Sequence, residues 1–78
     1  MTKLNMVLVY WQDSNMMHGW RDDCSKDKLA NCQTVGILKV DDEDKLVLAM
    51  SESDENSFLE TITIPKGCIK SVKQLRVR

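Results

Sequence analysis

No apolar run in this chain is long enough to cross a bilayer. The longest, Met6–Trp11, falls far short of the roughly 20 residues that a spanning helix needs. The N-terminal apolar stretch ends in a tyrosine and a tryptophan with no small-residue cleavage site, so no signal peptide is expected. There is no Gly-x-Ser-x-Gly, no His-Glu-x-x-His and no glycine-rich phosphate loop. The signatures of serine hydrolases, zinc proteases and nucleotide-binding loops are therefore missing. The expectation is a non-enzymatic protein without a cofactor, kept in the cytoplasm. Internal repeats, low-complexity tracts and linkers are also lacking, so residues 1–78 read as one domain.

Cysteine and histidine are few. Cys24, Cys32 and Cys68 are odd in number and cannot all pair within the chain, so they read as reduced thiols and small buried side chains. No Cys-x-x-Cys pair occurs, and adding the only histidine, His18, gives a spacing that fits no zinc framework. No metal site is expected. Asp41–Asp44 is a consecutive acidic run without the alternating ligands and central glycine of a calcium loop, and reads as a solvated turn.

What is present is unevenly placed. Residues 1–40 carry five basic and four acidic residues, residues 41–60 eight acids and one lysine, and residues 61–78 five basic residues and no acid. The basic tail holds Lys66, Lys70, Lys73, Arg76 and Arg78. Such segregation can orient a partner electrostatically.

The runs between the polar stretches read as β-strands. LNMVLVYW (4–11) is rich in β-branched and aromatic residues and apolar at both parities, which predicts a central or covered strand. QTVGILKV (33–40) is a second strand, with Gly36 marking a bulge or sharp bend. KLVLAM (45–50) is a third, with Leu46, Leu48 and Met50 on one face. FLETITI (58–64) is a fourth, with Phe58, Ile62 and Ile64 inward and Glu60 on the same parity. Residues 12–31 read as an irregular polar segment with at most one helical turn capped by Ser25. Pro65 ends the fourth strand, and PKGC reads as a tight or 3₁₀ turn. The tail spaces Ile69, Val72 and Leu75 by three, which suits a helix, whereas Gln74–Arg78 alternates, which suits a strand; the strand is preferred. Short strands with frequent turns and almost no helix predict an all-β small barrel of five strands.

Two families resemble parts of this pattern. IPKGCI (64–69) resembles the end of an SH3 domain, where a strand runs through a proline into a 3₁₀ turn and a last strand; Cys68 stands where SH3 domains carry a peptide-binding tyrosine. Tyr10, Asp13 and Trp20 loosely echo the acidic, aromatic first loop of that family. GILKVDDEDKLVL (36–48) resembles the first Sm motif and KGCI (66–69) the second, which implies a ring that binds single-stranded RNA; Lys45 stands where that family has an asparagine. Over nearly its whole length, the order YW-Q-D, GW, C-x-T-V-G, LVLA and IPKGCI is similar to short uncharacterised proteins of bacterial and phage genomes, which implies a phage or prophage origin. The fold expected is thus an SH3-like or Sm-like barrel.

Residues 6–20 concentrate the tyrosine, both tryptophans, the histidine and three methionines. At least one of Trp11 and Trp20 is expected to be largely buried, with Trp20 pinning the loop to the barrel. Tyr10, Trp11, Met16, Met17, His18 and Trp20 form the candidate partner-binding surface, because aromatics beside flexible methionines make effective contacts. The expected function is a protein-interaction module that binds another protein or a copy of itself. The alternative is a single-stranded nucleic-acid-binding barrel that uses the basic tail.

Overall fold

A computed structural model describes residues 4–76. It is all-β. Five strands run β1 (Met6–Asp13), β2 (Ala30–Asp41), β3 (Lys45–Glu52), β4 (Phe58–Pro65) and β5 (Ile69–Gln74), with a 3₁₀ turn at Lys66–Cys68 before β5. All pair antiparallel in a single sheet of order β4-β3-β2-β1-β5. The sheet is not closed: β4 and β5 are its two edges. Yet three residues of 3₁₀ turn connect them, whereas four flat inter-strand steps would span about 19 Å. The sheet therefore curls, and its concave face carries the core.

That core is small. Val7, Val9, Leu46, Leu48 and Ile64 are fully buried together, with Trp11, Leu38, Ile62, Cys68 and Ile69 packed around them. The pairings explain the grouping. Leu48 lies opposite both Leu38 and Ile62, and Leu46 opposite Ile64. Ala49 is buried on the other face, between Ile37 and Thr61. β1 is flanked by β2 and β5, which is why it is apolar at both parities: Val7 and Val9 enter the core, while Met6, Leu8 and Tyr10 are half-buried on the outer face.

The tail forms the expected fifth strand at Ile69–Gln74, and the Ile69–Val72 spacing within it comes from a bulge. Tyr10 faces Ser71 and Trp11 faces Ile69, so Lys70 is an extra residue that turns a spacing of two into three. Arg78 lies outside the described residues. A second bulge sits at Lys39, where Leu38 opposes Leu48 and Val40 opposes Val47. Gly36 instead marks a close approach: a Cβ there would stand 2.9 Å from the Leu48 Cβ. Ser25 caps no helix. Cys24–Asp27 is a turn closed by Asp27 N–H to the Cys24 carbonyl at 3.1 Å, and Asp23 accepts from the Ser25 N–H at 2.8 Å.

Phe58 does not point into the core. Glu60 holds a left-handed backbone (φ 51°), the β4 alternation breaks there, and Phe58 is half-exposed with the Lys39 ammonium 4.6 Å above its ring. Met50 is exposed as well. The cysteines are free, but Cys24 is exposed rather than buried, and Cys32 and Cys68 are half-buried. Among the described residues, no helix is long and apolar enough to cross a membrane.

Candidate partner-binding surfaces

The six candidate contact residues divide between two places. Trp11 belongs to the fold: half-buried against the core, it donates its indole N–H to the Thr34 hydroxyl at 2.9 Å, so its polar edge is satisfied inside the sheet. Met16, Met17, His18 and Trp20 lie in the segment between β1 and β2 and are exposed. Trp20 does not anchor that segment. It is fully solvent-exposed, at 104% of its reference area.

Residues 14–29 form a projecting arm. Its hydrogen bonds among the described residues are local. Asp13 accepts from the Ser14 N–H, Asp23 from the Ser25 N–H, and Arg21 makes a two-pronged ion pair with Asp27. The pair raises the Arg21 pKa, and Asp23 is held below its usual value by the N–H and hydroxyl of Ser25. The projection shows in the dimensions. The radius of gyration is 16.0 Å, against about 11.5 Å for a compact domain of this length, and the extents are 56 × 27 × 22 Å. Three acids (Asp22, Asp23, Asp27) and three bases (Arg21, Lys26, Lys28) cancel along it. What it offers a partner is apolar: Met16, Met17, Trp20 and Leu29.

The second place joins residues that are far apart in sequence. Because β1 pairs with both β2 and β5, Tyr10 has Gln33 on one side and Ser71 on the other. A groove of about 320 Å³ is lined by Tyr10, Trp11, Asn31, Cys32, Gln33 and Lys70. The Lys73 ammonium lies 5.7 Å from the Tyr10 ring centre. The cations of the tail are therefore not one surface. Lys66 is neutralised by Asp41, Lys70 and Lys73 flank the Tyr10 groove, and Arg76 follows β5 as an exposed residue.

Asn31 and Gln33 are functional candidates that sequence reading missed. They are polar residues in a strand, and only the β1–β2 register sets them beside Tyr10 and Gln12. The acidic turn behaves as a structural unit. Asp42 accepts from the N–H groups of Asp44 and Lys45 and pairs with the Lys45 ammonium at 2.8 Å, which lowers its pKa to about 2. Among the described residues, no group of three or more acidic, histidine or cysteine side chains is placed to hold a metal. Compared with known proteins, the chain matches no family model, no curated protein and no solved structure.

Proposed function

We propose that this chain is a non-enzymatic interaction module whose β1–β2 arm docks on a second copy of itself. One observation carries the reading: the chain exposes more surface than a folded monomer of its mass should. Its accessible surface is 6712 Å², whereas a 9.0 kDa monomer is expected to show about 4,900 Å². The excess, about 1,800 Å² per chain, lies in the range that homodimers bury. The exposed apolar residues account for its character. Met16, Met17, Trp20 and Leu29 on the arm, and Val35, Met50 and Leu59 on the sheet, are all uncovered. One chain thus carries both an apolar arm and apolar sheet surface, and a second copy covers both at once. The near-neutral arm favours contact through apolar burial rather than charge.

The reading includes a curled sheet completed as a partly open, SH3-like or Sm-like barrel; the short link between its edges supports this. It also places the chain in the cytoplasm, in keeping with an exposed free thiol at Cys24, and keeps the phage-related origin that the sequence pattern suggests.

Sedimentation equilibrium tests the assembly. The intact chain is expected to run as a dimer or larger at micromolar concentration. The double variant Met17→Ser/Trp20→Ser is expected to run as a folded monomer, with an unchanged circular dichroism spectrum. A monomeric intact chain at high concentration, or a variant that associates as well as the parent, refutes the proposal.

A further inference from the structure

We infer that the groove between β1, β2 and β5 is a binding site for single-stranded nucleic acid, distinct from the arm. The argument starts from three chemistries brought together by strand pairing. Tyr10 supplies an aromatic face on the outer side of the sheet. Asn31 and Gln33 supply amides one strand away, and Asn31 accepts from the Gln12 amide at 2.9 Å, which orients its own nitrogen as a donor. Lys70 and Lys73 supply charge from β5. Stacked bases, base edges and phosphates need these three kinds of group.

The charge is available. Among the described residues, Lys39, Lys45, Lys66 and Arg21 are paired with acids, whereas Lys70, Lys73 and Arg76 make no ion pair. They follow one another along the β5 edge. The acidic loop at 51–57 belongs to the β3–β4 hairpin, away from β5 in the strand order, whereas the acidic turn at 41–44 packs against Lys66, whose N–H donates to the Asp44 carbonyl at 2.9 Å. Two of the four acids in the turn, Asp41 and Asp42, are already neutralised by Lys66 and Lys45. A chain of net charge −1 thus keeps a local cationic edge beside an aromatic groove.

The bulge at Lys70 contributes to the site. An extra residue in β5 puts Lys70 into the groove while Lys73 lies above Tyr10, so both flank one ring. On binding, a base takes the ring face and Lys73 moves onto the adjacent phosphate. A groove of about 320 Å³ beside an exposed aromatic ring suits an unstacked base of a flexible single strand.

Fluorescence anisotropy of the full chain with labelled 15-mers of thymidylate and uridylate tests this. Both strands are expected to bind at 50 mM salt, with affinity falling about 16-fold on raising salt to 200 mM, as release from about three phosphates requires. Lys70→Glu/Lys73→Glu, on an exposed edge away from the core, is expected to abolish binding. Tyr10→Leu is expected to weaken it about tenfold or more, and Tyr10→Phe to keep it. Loss of binding in Lys39→Glu as large as in the β5 variant, tighter binding of a duplex, or equal binding of a poly-glutamate peptide would each overturn the assignment. So would an intact chain that binds neither strand. None of these results bears on self-association, which the arm variants read separately.

Discussion

Asn56 and Glu60 are the two non-glycine residues with a left-handed backbone among the described residues, and they are not equivalent. Asn56 sits in the β3–β4 turn, where its N–H donates to the Ser53 carbonyl at 3.2 Å, and asparagine tolerates that conformation. Glu60 sits inside β4, on a sheet edge, where an L-residue at positive φ costs about 1–2 kcal/mol. The cost goes with the exposure of Phe58 and with the end of regular inward alternation. Glu60→Gly is expected to raise the melting temperature by about 4 °C, since glycine removes most of the strain but loses part of the gain to chain entropy. Glu60→Val is expected to lower it, although valine is the better strand former, because a β-branched residue is poorly accommodated at positive φ. A regular strand would give the opposite order, so the two melting curves together decide the point.

At the scale of elements, the arm is separable from the sheet. β1 and β2 pair continuously from Met6–Ile37 to Asp13–Ala30, so the ladder is complete before the arm begins. Replacing residues 14–29 by Asn-Gly closes the hairpin with a turn that matches strand twist. Shortening a loop from sixteen residues to two is expected to stabilise the fold by about 1–2 kcal/mol, seen as a higher urea midpoint with a native-like spectrum. Loss of the fold would show instead that the arm is part of the core. The strands themselves were legible in sequence because burial on one face imposes alternation, and the order of apolar runs at 4–11, 33–40, 45–50 and 58–64 survives in the structure. Two features were not legible for a physical reason. A bulge is one residue of register, and register exists only once two strands pair; hence the helical spacing of Ile69 and Val72. Trp20 looked like an anchor because burying a tryptophan is favourable, but that gain requires a surface within reach, and the chain provides none beside the arm.

The whole molecule is short of interior. Among the described residues, Val7, Val9, Leu46, Leu48, Ala49 and Ile64 are the buried apolar ones, while eleven large apolar side chains are exposed. A core of that size gives a thin margin to a chain of 78 residues, because conformational entropy grows with every residue ordered and burial does not. If a second copy supplies the missing burial, folding and assembly share one free energy. Stability then depends on protein concentration, since only the folded form associates. The melting temperature of the intact chain is expected to rise with concentration, by several degrees between 5 and 500 µM on this mass-action ground. The chain with Asn-Gly in place of the arm is expected to melt at one temperature throughout that range. Added salt separates the forces: screening leaves an apolar contact intact and weakens a charged one, so the concentration dependence should persist at 1 M sodium chloride. An intact chain whose melting temperature ignores concentration would mean that its exposed apolar surface is stable without a second copy.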